Sequence, residues 1–235
     1  MNISLEESRA RNDMVDVMRL CYSRKYICGV EGNFSIRLSD DHILTTPRGS
    51  CKARLTAQEL VLTDLEGKPI DAYCNKPSTE LAMHLTAYKM RLNVRAVVHA
   101  HPTAAVGFTV AGQSLGKCIL PEVVCTLGTI PVAPYATPST GEVSASIEDI
   151  IKEHDALVLD HHGALAVGSD IWDAYYKLET LEHHAQTLLI AQVLGNVDPL
   201  YSSQVKKLLD ICGVYGLQKP AAAQALLTAE YSRPD

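Results

Sequence analysis

From residue 4 to residue 26 the apolar side chains Met14, Val15, Val17, Met18, Leu20 and Cys21 return near helical spacing, with glutamates and arginines between them. The chain therefore opens on an amphipathic helix. In Cys28-Gly29-Val30-Glu31-Gly32-Asn33 two glycines allow the tight turn that ends it. A hairpin is predicted next, from Phe34-Ser35-Ile36-Arg37 through the polar Ser39-Asp40-Asp41-His42 turn to Ile43-Leu44-Thr45-Thr46, closed by the loop Pro47-Arg48-Gly49-Ser50. Residues 60–64 read as a further strand, turned by Glu66-Gly67-Lys68-Pro69.

In the rest of the chain, short apolar runs at 96–99, 130–134 and 156–159 predict strands. A helix is predicted from 78 to about 91, with Ser78 as its N-cap and Leu81, His84, Leu85 and Tyr88 on one face. Two more helices are expected, from about 141 to 154 and from 171 to about 193. Strands and helices alternate irregularly, which predicts a mixed sheet covered by helices instead of a regular parallel doubly wound fold. There is no internal repeat.

A chain of 235 residues, 47% hydrophobic and 20% charged, can bury a sizeable core as one compact unit. Its net charge is only −6 and its basic residues are scattered, so neither nucleic acid nor a membrane surface is an expected partner. The start, Met1-Asn2-Ile3-Ser4-Leu5-Glu6-Glu7, lacks the pattern of a secretory signal, and no apolar run reaches spanning length. A cytoplasmic protein is expected. Seven cysteines, an odd number with no Cys-x-x-Cys pair, read for the most part as buried small hydrophobes and not as a disulfide framework.

Chemistry enters with Val97-Val98-His99-Ala100-His101-Pro102, where two histidines stand two apart at the end of a β-branched run. Residues i and i+2 of a strand share a face, so the imidazoles converge as metal ligands do. A second strand end carries Asp160-His161-His162-Gly163; His162 is the better ligand candidate because the glycine lets the backbone pass close, while His161 is second shell or surface. Lys76-Pro77-Ser78-Thr79-Glu80 adds a carboxylate in the first turn of a helix, either complementing the dipole or acting as a base beside the metal. Three neutral imidazoles with an open or carboxylate-filled fourth position form a catalytic zinc site. His183 and His184 lie in a Glu-rich helix and read as structural; His42, His84 and His154 have no partner recognisable in sequence. Ser78 and Thr79 at a helix start, together with Arg48 and Gly49, can hold a phosphate or carboxylate through amides, hydroxyls and one cationic fork.

The segments Gly32-Asn33-x-Ser35, Thr46-Pro47-x-Gly49, Lys76-Pro77-Ser78-Thr79-Glu80, His99-x-His101, Ala133-Pro134-Tyr135 and His162-Gly163 follow the order seen in the class II aldolase/adducin family. Over residues 10–217 the chain resembles that family, and within it the sugar-phosphate aldolases. The resemblance implies an α/β fold, a single domain over residues 1–235 with a mixed, largely antiparallel sheet flanked by helices and a tail from about 218 that could be mobile. It implies zinc, or another divalent cation, on His99, His101 and His162, with Glu80 as acid/base and potential fourth ligand. It further implies a phosphate pocket from Gly32, Asn33, Gly49, Ser78 and Thr79, to which Arg48 is added here. Tyr215, in Tyr215-Gly216-Leu217, resembles a tyrosine that reaches a neighbouring subunit's site in a homotetramer. The implied reaction is aldol cleavage of a small phosphorylated ketose through a metal-bound enediolate.

Two positions depart from the aldolase pattern: Arg48 stands where those enzymes have threonine, and Leu120-Pro121-Glu122 lacks their substrate-side tyrosine, leaving Glu122 as the polar group there. A carboxylate partner for Arg48 would make the chain a decarboxylase on the same scaffold. Epimerases and dehydratases of sugar phosphates are further alternatives, the epimerases resembling the chain less because they carry aspartate where Glu80 stands. A non-catalytic adducin-like module needs no open metal site, and retention of the three histidines with Glu80 argues against it.

Overall fold

In the computed structural model, which describes residues 4–70, 75–215, 220, 222 and 226, the opening helix α1 spans Leu5–Ser23. Ser4 caps it, its hydroxyl accepting from the Glu7 amide at 3.0 Å. The predicted hairpin, β1 (Asn33–Arg37) and β2 (Ile43–Thr45), is joined by β3 (Val61–Thr63) in an antiparallel meander. Helix α2 (Leu81–Met90), β4 (Ala96–Ala100), α3 (Thr103–Val110) and α4 (Pro121–Thr126) follow. The chain continues through β5 (Val132–Ala133), α5 (Gly141–Ile147), β6 (Ala156–Leu159), β7 (Gly163–Gly168), α6 (Ile171–Leu194) and α7 (Ser202–Ile211).

The seven strands form one sheet in the order β3-β2-β1-β4-β7-β6-β5. Only β5 and β6 run parallel, so the sheet is mixed and largely antiparallel as expected. Alternation assigns its two faces. Ala96, Val98 and Ala100 of β4, with Ala164 and Ala166 of β7, pack on the side of α1 and α6. Val97, Leu165 and Val167 pack on the opposite side with Leu81, Met83, Ala87 and Tyr88 of α2. A smaller core lies between α4 and α7, built on Val124, Cys125, Val205 and Leu209. No helix among the described residues is long and apolar enough to cross a membrane.

Three expectations are corrected. Helix α2 starts at Leu81 instead of Ser78, because the amide of Ser78 is already bonded to the Thr46 carbonyl (3.1 Å) in a short ladder that also bridges Pro47 and Pro77. Glu80 is thus the residue before the helix, not part of its first turn. The helix expected over 141–154 ends at Ile147 and resumes only as a 3-10 turn, Ile150–Lys152, in a segment rich in serine and β-branched residues that form helix poorly. The strand expected at 130–134 pairs only at Val132 and Ala133, flanked by prolines that cannot donate to a ladder. The structure adds β7, α3, α4 and α7.

Glu182 of α6 is buried, and its two carboxyl oxygens accept from the amides of Ala104 and Ala105, each at 3.0 Å. These are orphan donors at the start of α3. The carboxyl group thereby fixes the point where the chain leaves the sheet after His101 and Pro102. Glu182→Gln turns one acceptor into a donor facing a backbone N–H and should lower stability by about 1.5–3 kcal/mol. The urea unfolding midpoint reads this directly; a wild-type midpoint would show that the cap does not hold α3.

Candidate metal centre

The centre forms where β4 and the β6–β7 hairpin end side by side. His99 lies on the α2 side of the sheet in β4, fully buried, and pairs in register with Asn33 of β1 and Leu165 of β7. One residue beyond the strand, His101 is anchored by its amide to the Tyr26 carbonyl at 2.8 Å. In the hairpin turn, His161 adopts a left-handed conformation (φ 56°) and the His162 amide bonds the Leu159 carbonyl at 3.0 Å, which turns His162 inward. Gly163 then passes so close that a Cβ there would meet the Ala100 carbonyl oxygen at 2.6 Å, His101 at 2.7 Å and His99 at 2.8 Å. The glycine is required by contact, as the sequence anticipated.

The three imidazole rings form an almost equilateral triangle, with centroids 4.9–5.0 Å apart. His99 Nδ1 lies 3.0 Å from the Ala164 carbonyl, so it carries the proton and leaves a lone pair on Nε2. His101 Nδ1 faces Glu31 Oε2 at 3.5 Å, and its Nε2 points at His99 Nε2 across 3.2 Å. Burial, reinforced by the neighbouring imidazoles, holds His99 well below its ordinary pKa; burial lowers those of His101 and His162 as well. All three rings are therefore held toward the neutral form that metal ligation requires.

Glu80 completes the group. Its Oε1 lies 3.3 Å from His162 Nε2 and its Oε2 lies 3.5 Å from His99 Nε2. With His99 neutral these are not ion pairs. Glu80 Oε1 is buried and accepts no hydrogen bond. An unpartnered carboxylate oxygen set against three imidazole nitrogens is a donor set suited to a cation. The spacing fits one, since tetrahedral ligands at about 2.0–2.1 Å from zinc stand about 3.3 Å from each other. The residues present thus suit a divalent metal, and His99, His101 and His162 bring their ligand atoms within 4.8 Å of one another.

Behind Glu80 lies a polar chain that sequence reading missed. Asn33 Nδ2 donates to Glu80 Oε2 at 2.8 Å, and Asn33 Oδ1 meets His84 Nε2 at 2.6 Å. His84 Nδ1 meets the Ser35 hydroxyl at 2.7 Å, which meets the Tyr88 hydroxyl at 2.8 Å. His84 and Tyr88 share a helix face four residues apart, the one signal available; His84 looked like part of an apolar stripe. Lys52 was also missed. It is buried, its ammonium donates to the Val30 carbonyl at 2.6 Å, and burial pushes its pKa down to about 8.

The anion-pocket residues are brought together in part. The amide of Arg48 bonds the Lys76 carbonyl at 2.9 Å, which lays Pro47-Arg48-Gly49 beside Lys76-Pro77-Ser78-Thr79, with Arg48 and Thr79 exposed. Thr79 meets the Ser139 hydroxyl at 2.8 Å, and Ser78 Oγ accepts from the Glu80 amide at 3.2 Å. Gly32 packs under the site, where a Cβ would meet Ile27 at 2.6 Å and the His99 carbonyl at 2.9 Å. The Asn33 side chain is buried and engaged by His84 and Glu80. His161 stays outside the triangle, bonded to Asp160 at 2.7 Å with its ring edge toward exposed Tyr135. Glu122 is exposed on α4, and His184 is buried in α6 on the Leu115 carbonyl at 2.9 Å, a structural role. Backbone at Tyr215 closes a 3-10 turn, Cys212–Tyr215; its side chain and the tail expected from about 218 lie outside the described residues, three isolated positions of the tail apart.

Comparison with known proteins agrees with this fold. 3-Oxo-tetronate 4-phosphate decarboxylase of Pectobacterium atrosepticum is 32% identical over 188 residues, 78% of this chain and 85% of that protein. L-fuculose phosphate aldolase of Methanococcus maripaludis is 33% identical over 177 residues, 74% and 94% of the two chains. Among solved structures, L-fuculose-1-phosphate aldolase from Thermus thermophilus superposes with a TM-score of 0.71 at 31% identity, covering 82% of this chain and 98% of that one. YgbL from Klebsiella pneumoniae superposes with a TM-score of 0.79 at 29% identity, covering 87% and 100%. Residues 12–189 match the model of the Class II Aldolase and Adducin N-terminal domain, and the chain belongs to that family.

Proposed function

We propose that this chain is a zinc-dependent carbon–carbon lyase that cleaves a small phosphorylated ketose by an aldol reaction. The observation that carries the reading is the unsatisfied, buried Glu80 Oε1 beside three neutral imidazoles. His99, His101 and His162 would hold zinc, or another divalent cation, with Glu80 as a potential fourth ligand. When bound, the metal supplies Lewis-acid polarisation of the substrate carbonyl.

The remaining steps belong to the chain's own residues. The anion pocket, Gly32, Asn33, Arg48, Gly49, Ser78 and Thr79, would hold the phosphate through backbone amides, hydroxyls and the Arg48 guanidinium. As the carbon–carbon bond breaks, the departing hydroxyl loses its proton to become an aldehyde, and the electron pair stays on the carbon beside the carbonyl. Glu80, a carboxylate at rest, would take a proton from solvent and pass it to that carbon. Tyr215 of a neighbouring copy would relay the proton of the departing oxygen to solvent, accepting it while giving up its own, and a cytoplasmic homotetramer with sites between subunits would be the working form.

A second reading is decarboxylation of a phosphorylated keto acid, favoured by Arg48 and by the similarity to a 3-oxo-tetronate 4-phosphate decarboxylase. There the departing group is carbon dioxide, the electron pair lands on the equivalent carbon, and Glu80 would again pass a proton taken from solvent to it. Arg48 would pair with the substrate carboxylate.

Elemental analysis of the purified protein should find about one divalent metal per chain, zinc foremost by its ligand preference. His101→Ala should lose metal and turnover together while His183→Ala keeps both. Full metal occupancy in His101→Ala would abolish the assigned site.

Glu80→Gln preserves size but removes basicity, so the protein should fold while proton delivery at carbon falls by roughly 10²–10⁴-fold. Deuterium incorporation from heavy water into the ketone product measures this. Wild-type incorporation in the variant would assign the proton to another group.

Arg48→Thr separates the two reactions. It should lose roughly 1.5–3 kcal/mol of binding through charge-assisted hydrogen bonds. A loss confined to keto acids selects decarboxylation, and a loss on phosphorylated ketoses that disappears with their dephosphorylated forms selects the phosphate grip. Unchanged kinetics on every anionic substrate would place Arg48 outside the pocket.

A further inference from the structure

Four side chains behind the metal centre form a hydrogen-bonded line that ends on Glu80, and its proton order can be worked out from that end. A carboxylate only accepts, so Asn33 must present Nδ2 to Glu80 Oε2, as it does at 2.8 Å. Asn33 Oδ1 then faces His84 Nε2 at 2.6 Å and must accept, which puts the His84 proton on Nε2. His84 Nδ1 is left as an acceptor, so the Ser35 hydroxyl donates to it at 2.7 Å. Ser35 has no second proton, and the Tyr88 hydroxyl therefore donates to Ser35 at 2.8 Å. Every proton points toward Glu80.

The surroundings keep this order in place. Ser35 and His84 are fully buried, and Tyr88 is nearly so. Burial alone pushes His84 down to about 3, so it stays neutral. Tyr88 is held by the Arg37 guanidinium, which lies 4.9 Å over its ring while donating to its carbonyl at 2.8 Å. Asn33 and Ser35 point from the same face of β1, and His84 and Tyr88 from the same face of α2. The line thus ties β1 to α2 through polar groups where an apolar contact would have sufficed for packing.

We propose that His84 is the positioning residue of the centre, its Nε2 proton locking the Asn33 amide so that Glu80 Oε2 is tethered and Oε1 alone is left free to work. The inference rests on the proposed function for what Oε1 does, but not for the tether itself. With the opposite His84 tautomer, Nε2 becomes an acceptor, Asn33 turns its amide over, and Oδ1 is set against the carboxylate. Repulsion then displaces Glu80 from His99 and His162. None of the three groups behind Asn33 belongs to the proposed anion pocket, so they act on the centre only through the Asn33 side chain and Glu80.

The test uses the full chain with and without zinc. In metal-free wild type, long-range nitrogen–proton NMR should show His84 protonated on Nε2. Ser35→Ala removes the donor to Nδ1 with little change in packing and should introduce the Nδ1-protonated form. Its zinc affinity by calorimetry, or its turnover at saturating substrate, should fall by roughly 10–100-fold, the usual cost of losing an outer-shell partner. KM should stay near wild type. His84→Gln, whose amide can still donate to Asn33, should recover more of both than His84→Leu. A His84 protonated on Nδ1 in wild type overturns the proposal. So does a Ser35→Ala protein with unchanged zinc affinity and turnover. Because the tautomer and zinc affinity are read without substrate, a wild type with the expected tautomer but no lyase activity would sink the proposed reaction and leave the tether standing.

Discussion

The centre depends on how closely β7 approaches β4 at Gly163. With no room for a Cβ among the Ala100 carbonyl, His101 and His99, the two strands meet at their ends without a side chain between them. That approach brings the Ala164 carbonyl within 3.0 Å of His99 Nδ1, which determines the tautomer and directs the Nε2 lone pair inward. The same turn delivers His162 from the other side. A larger residue at 163 would separate the strands and disturb three imidazoles at once, although it is not itself a ligand.

Electrostatics then determines what the cluster accepts. Neutral imidazoles carry no charge to offset Glu80, whose carboxyl group is the acidic member of the cluster. Outer groups orient two of these side chains, Ala164 for His99 and Asn33 for Glu80, and Glu31 stands 3.5 Å from His101. Such partners orient ligands and tune a metal's environment. Scaffold and chemistry are joined here, since Asn33 is at once the β1 residue in register with His99 and the hydrogen-bond donor to Glu80.

Much of this was legible in the chain because it is local. The hairpin of β1 and β2, the opening helix and the His-x-His strand end each follow from spacing within a few residues. What escaped is set by tertiary contact. β7 reads Gly-Ala-Leu-Ala-Val-Gly, with small residues where α6 packs and no polar alternation because both faces are buried. The start of α2 was misplaced because Ser78, a good capping residue, pairs with Thr46 from a distant loop. His84 was invisible as a polar centre because its partners lie 49 and 51 residues away.

The pair of reactions represented among the relatives makes chemical sense of where the site is rigid and where it is open. Aldol cleavage and decarboxylation both leave an electron pair on a carbon beside a carbonyl, and both require a proton delivered there. The groups assigned to that shared task, the three histidines and Glu80 with its polar support, are largely buried and tightly connected. The reactions differ in what departs: an aldehyde that must shed a hydroxyl proton, or carbon dioxide that sheds none but starts as a carboxylate needing a cation. Arg48 and Thr79, on the paired loops beside the centre, are exposed. Under the proposed reactions, a change of leaving group would therefore fall on those loops and leave the three histidines and Glu80 undisturbed.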